Sequence, residues 1–208
     1  NLGTQSAVIQ TTGDVTMAAN TLNAGTLVGG TDIRSSNGSV SLMARTGELN
    51  VGAATTLHAN NATSLTAQGI HIADDSSLVA GQAMTLNSGR DVSVTGDVEV
   101  LGRTVDTTAQ AGDITLSGNV VVGDKLASTQ VSDVTLQASG SVMQLEGEGQ
   151  TGLRGRNLSI VSGGELKLDA YADSQSSGNA FNNVTLDVAR DIRLGLADRS
   201  MTTLAINT

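Results

Sequence analysis

Apolar and small polar residues alternate along this chain in short phrases that come back at a nearly constant interval. Asp91-Val92-Ser93-Val94, Asp113-Ile114-Thr115-Leu116, Asp133-Val134-Thr135-Leu136, Asn157-Leu158-Ser159-Ile160 and Asn183-Val184-Thr185-Leu186 are versions of one four-residue unit. Weaker copies flank them at Leu49-Asn50-Val51, Ile70-His71-Ile72 and Leu204-Ala205-Ile206. From the first apolar residue of each, the steps are 21, 22, 22, 20, 24, 26 and 20 residues. A period of two within each phrase is that of a strand with one buried face. Self-similarity at 20–26 residues is that of a stacked repeat.

A second apolar column follows eight residues after the first, at Leu57, Leu78, Val100, Val122, Val142, Leu166 and Ile192. A third, looser one runs through Leu65, Leu86, Val105 and Leu126. Two or three short strands per turn, with Gly, Asn, Asp and Ser at the corners, predict an all-β chain wound as a right-handed parallel β-helix. We expect roughly eight or nine coils, each strand pairing with its copies about 4.8 Å above and below. The whole of 1–208 reads as one such segment of a longer fibre. Residues 1–40 are less regular, with phrases at Val15-Thr16-Met17 and Val40-Ser41-Leu42, and longer corner loops lie near 146–156 and 169–182.

Composition sharpens this. The chain of 208 residues has no Pro, Cys or Trp and single copies of Tyr and Phe. An ordinary domain of this length holds about ten prolines, but in a solenoid nearly every strand is internal and a missing amide breaks a ladder bond. The 25 glycines suit tight corners. A net charge of −9 with no basic stripe and no stacking aromatics argues against nucleic acid as a partner. There is no apolar run long enough to span a membrane as a helix and no signal-peptide pattern at residue 1.

Candidate chemistry is sparse. Asp14, Asp91, Asp97, Asp113, Asp133 and Asp191 each precede a strand, and we expect their carboxylates to cap local backbone amides in Asx turns; a calcium ladder would need the Gly-Gly-x-Gly-x-Asp nonapeptide, which is absent. His58 and His71 fall in different columns without metal-ligand spacing, so no zinc site and no cofactor is expected. The outward positions Asn50, His71, Ser93, Thr115, Thr135, Ser159, Thr185 and Ala205 read as a solvated face, with ice or carbohydrate binding as the sharper alternative. Carbohydrate-cleaving enzymes on this scaffold need clustered carboxylates and aromatic platforms. Here Glu146, Glu148 and Glu165 are the sole plausible carboxylate group, and outward Glu99, Lys167 and Arg193 are spread over several coils, so the chain is not expected to be an enzyme. The two longer loops are the remaining recognition candidates, with Arg154, Arg156, Tyr171 and Phe181 as contact residues; the plainer expectation for the two rings is that they pack back on the rod.

Gly112-Asp113-Ile114-Thr115-Leu116, Gly89-Arg90-Asp91-Val92-Ser93-Val94 and Gly163-Gly164-Glu165-Leu166-Lys167-Leu168 resemble the repeat units of filamentous haemagglutinin-like exoproteins. These are the large adhesins and contact-dependent inhibition proteins of Gram-negative two-partner secretion systems. The likeness covers about residues 40–208 and is specific for a repeat class. It implies a secreted, cell-surface fibre shaft that mediates attachment, exported through an outer-membrane two-partner secretion transporter and directed at a receptor, a glycan included, on a host or neighbouring cell. The alternatives are the stalk of a toxin-delivery filament, the passenger of an autotransporter, or a carbohydrate-active β-helix. The secretion domain's Asn-Pro-Asn motif is missing because the chain has no Pro, the repeats are expected to run to its last residues with no toxin domain within it, and residues 89–91 read Gly-Arg-Asp instead of Arg-Gly-Asp. The resemblance therefore brings no binding residues to this segment.

Overall fold

The structure is a computed structural model and describes residues 7–25, 30–125, 131–145, 152–169, 179–194 and 204–206. It is an all-β parallel solenoid built from three sheets of nine, eight and eight strands. Going once round, the chain contributes one strand to each sheet in turn. The first sheet stacks Ala7–Thr11, Thr31–Ser35, Thr56–Ala59, Ser76–Ala80, Val98–Leu101, Val120–Gly123, Gly152–Arg154, Asn179–Phe181 and Leu204–Ile206. The second stacks Val15–Ala19, Val40–Ala44, Thr63–Ala67, Ala83–Ser88, Thr104–Ala109, Asp133–Ala138, Asn157–Ser162 and Asn183–Val188. The third stacks Leu22–Ala24, Glu48–Val51, Gly69–Ile72, Val92–Thr95, Ile114–Ser117, Val142–Leu145, Leu166–Leu168 and Ile192–Leu194. From first to last strand of an eight-stranded sheet the chain makes about seven turns, slightly fewer than the eight or nine expected.

The interior follows from the alternation. In the second sheet Leu42 pairs with Leu65 and Leu65 with Leu86, all buried, while Ser41, Ser64 and Thr85 of the same strands face out. The last inward position of that sheet is small in successive coils, where the chain turns: Ala44, Ala67, Ser88, Ala109, Ala138 and Ser162. Small residues let the backbone fold sharply toward the next face. The serines also satisfy corner groups that water cannot reach; at the preceding corner the buried Ser35 hydroxyl donates to the Gly13 carbonyl (2.7 Å) and accepts from the Gly38 amide (2.8 Å). Between the third and first sheets the turn needs a left-handed residue, supplied by Gly96 (φ 92°) and Gly118 (φ 98°) in successive coils. A Cβ on Gly118 would stand 2.9 Å from the Gly96 backbone, so these corners also leave no room for a side chain.

Two expectations are corrected. The single column of phrases runs over all three sheets. Leu49, Ile70, Val92 and Ile114 lie in the third sheet, but Val134, Leu158 and Val184 lie in the second and Leu204 in the first. Ile114 pairs forward with Val142 and Val134 pairs back with Val105, so Ile114 and Val134 never meet in register. The coil between them is lengthened by the segment joining Val120–Gly123 to Asp133–Ala138. Counting on from Ile114 by the usual period therefore ends on the neighbouring face. The same slip takes the second column from the first sheet (Leu57, Leu78, Val100, Val122) to the third (Val142, Leu166, Ile192). All three faces demand apolar–polar–apolar, so the phrase itself carries no face label.

The corner aspartates are the second correction. Asp14 accepts the Ser39 amide (2.8 Å), Asp91 the Asp113 amide (2.9 Å), and Asp113 the Ser141 amide (2.6 Å). Each bond joins one coil to the next instead of closing a local turn. Corner amides point along the axis, where the acceptor is a carbonyl or side-chain oxygen of an adjacent coil. Asp133 is no corner residue at all but the first residue of a second-sheet strand.

Candidate functional site

The register redistributes the outward ladder predicted from sequence. Asn50, His71, Ser93 and Thr115 share the third face, Thr135, Ser159 and Thr185 join Ser64 and Thr85 on the second, and Ala205 belongs to the first. The hydroxyl row on the second face is interrupted by Asp106, which stands between Thr85 and Thr135. On the third face the Asn50 amide nitrogen donates to the Asn23 side-chain oxygen (2.7 Å), and on the second Asn183 donates to Asn157 (2.8 Å). Such ladders tie like residues together along the axis.

The four proposed contact residues have separate fates. Phe181 is wholly buried and stacks over Gly155, where a Cβ would come 3.2 Å from the ring and 2.3 Å from the Ser132 carbonyl. The plainer expectation, that this ring packs back on the rod, therefore holds for Phe181, and its ring is not a contact surface. Arg154 is also 0% exposed and pairs in register with Gly123 and Ala180. Its guanidinium donates to the Lys125 carbonyl (2.7 Å), and burial pulls its pKa below the ordinary arginine value. Arg156 is exposed and engages Asp133, with Nε 3.0 Å from Oδ1. Tyr171 lies outside the described residues, as do Glu146 and Glu148.

The Arg156–Asp133 pair gives a pH prediction. The hydrogen bond from Arg156, helped by one from Asn157, holds the Asp133 carboxyl below its ordinary 3.8 against the opposing pull of burial. A folded-state pKa depressed in this way stabilises the protein above the unfolded value, and the stabilisation is lost as pH falls through the folded one. Both groups are substantially exposed, so the effect is small. Denaturant midpoints measured between pH 7 and pH 3 should fall slightly less for Asp133→Asn than for the parent; equal slopes would show that the pair contributes nothing.

Other charged groups are paired across coils. Glu48 lies between His71 (3.4 Å) and Arg90, Lys125 meets Glu99 (2.8 Å), and Arg193 meets Glu165 (3.6 Å). Glu165 is thus engaged by Arg193 of the next coil. Asp74, Asp75 and Asp97 bring carboxylate oxygens within 4.8 Å of one another, all exposed. The Asp74 Oδ1 atom already accepts the Asp75 and Asp97 amides (3.0 and 2.6 Å), and Asp97 Oδ1 accepts from Asn119 (2.5 Å). Sequence reasoning missed these inter-coil pairs because they depend on coil length: Glu48 and Arg90 are 42 residues apart.

No helix among the described residues is long and apolar enough to cross a membrane. Fold and surface together define the class: a parallel β-solenoid with polar, ion-paired flanks. Comparison with protein-family models, with curated proteins and with solved structures found no match for the chain.

Proposed function

We propose that this chain is a stretch of shaft in a secreted, cell-surface filamentous adhesin of a Gram-negative bacterium, of the filamentous haemagglutinin-like kind. The observation that carries the reading is the unbroken stack, in which every described strand pairs in register with a copy one coil away and each sheet runs the length of the molecule. Such a scaffold extends without a size ceiling, because each coil needs only its neighbours. Its chemistry is that of a spacer: paired ions, stacked amides and small hydroxyls on the flanks, with hydrocarbon inside. Its work is to hold a recognition surface away from the cell, and an outer-membrane transporter would export it unfolded, which a chain without disulfides permits.

The experiment is surface labelling. Antibody raised against the 208-residue chain should decorate intact cells of the source organism as extended fibres, and deleting residues 40–208 in frame should reduce attachment to host or neighbouring cells. Label confined to the cell interior would end the reading.

A further inference from the structure

Near the N-terminal end, the outward side of the first sheet carries a groove of about 680 Å³, a volume in the range of small-ligand sites. One side is a register column: Gln10 pairs with Arg34 and Arg34 with His58, all exposed. Three long polar side chains from successive coils therefore stand about 4.8 Å apart. The other side is a corner row of Thr12, Ser36 and Asn60. The Ser36 amide donates to the Thr11 carbonyl and the Asn60 amide to the Ser35 carbonyl, so this row keeps the same coil spacing.

The guanidinium of Arg34 is already oriented. Its Nε lies 2.6 and 2.9 Å from the two carboxylate oxygens of Asp32, on the same strand. That contact engages Nε and leaves the two terminal nitrogens without a partner among the described residues; half of the side chain is exposed. A planar pair of N–H donors matches a carboxylate in bidentate fashion. Asp32 offsets the charge of Arg34, which disfavours a doubly charged phosphate more than a singly charged acid. Around the cation stand amides and hydroxyls suited to sugar hydroxyl groups, with the His58 ring at one end and no Trp, Tyr or Phe among the described lining residues.

We propose that this groove binds a carboxylate-bearing saccharide, its carboxylate on the free edge of Arg34 and its hydroxyls on Gln10, Thr12, Ser36 and Asn60. This goes beyond the shaft reading, since a spacer requires no ligand.

The test is calorimetric titration of the 208-residue chain at fixed ionic strength with trigalacturonate, monomeric galacturonate and neutral maltotriose. Saturable binding of either acid, with maltotriose at least about tenfold weaker, is expected; a trimer tighter than the monomer points to a glycan, and equal affinity to a free sugar acid. Arg34→Gln should weaken binding about tenfold or more, the loss expected for a charged hydrogen-bonding partner, with the circular dichroism spectrum and denaturation midpoint unchanged. No saturable binding of either acid, equal binding of maltotriose, or an Arg34→Gln protein that binds like the parent overturns the proposal.

Discussion

Phe181→Ala is expected to lower the free energy of unfolding by about 3–5 kcal/mol, read from denaturant titration followed by circular dichroism. Phe181 is the largest apolar side chain among those fully buried. It fills the space over Gly155, a residue with no Cβ to expand into the void that truncation would leave. The neighbouring backbone is held by pairing of Arg154 with Ala180 and by the Asn182 amide donating to the Arg156 carbonyl, so the site cannot collapse readily. A loss below about 1 kcal/mol would mean that the ring is not part of the core. The same variant separates packing from recognition, because a contact residue would weaken attachment without moving the midpoint.

A paired substitution on adjacent positions gives the second large effect. Leu65→Ala should cost about 2–5 kcal/mol, whereas Ser64→Ala should stay within about 0.5 kcal/mol. Leu65 is fully buried between Leu42 and Leu86, while Ser64 stands outside between Ser41 and Thr85. A slip of one residue in register would exchange the two faces, so equal or reversed costs would refute the described pairing. Because each coil rests only on its neighbours, the loss at Leu65 should also make unfolding less cooperative, dividing the rod at the third coil.

The solenoid is legible in the chain because its core positions repeat in chemistry as well as in spacing: Ile70-His71-Ile72, Val92-Ser93-Val94 and Ile114-Thr115-Leu116 do stack as the pattern demands. The assignment of faces fails after Ile114 for an energetic reason. Lengthening a corner costs little, so loops vary freely while the strand phrase stays the same, and counting residues across the long connection before Asp133 passes to the wrong side. The early coils are hidden differently. Ile9, Ile33 and Leu57 pair in register at a constant step, but the phrases around them carry long polar side chains (Gln10, Arg34, His58) in place of Ser or Thr, so they do not look like the later ones. Arg154 escapes for a third reason: it is buried while its guanidinium reaches the Lys125 carbonyl, a contact made across a connection whose length the repeat does not fix.

The corner carboxylates have a mechanical meaning. Ladder bonds and aspartate–amide staples both point from one coil to the next, parallel to the long axis. A pull applied between the two ends is carried through every turn in series, but the outermost turn lacks a neighbour on one side and is the first to peel. Under tension such a rod would yield by releasing one loop of chain at a time, a tether that lengthens in increments while the turns behind it stay wound.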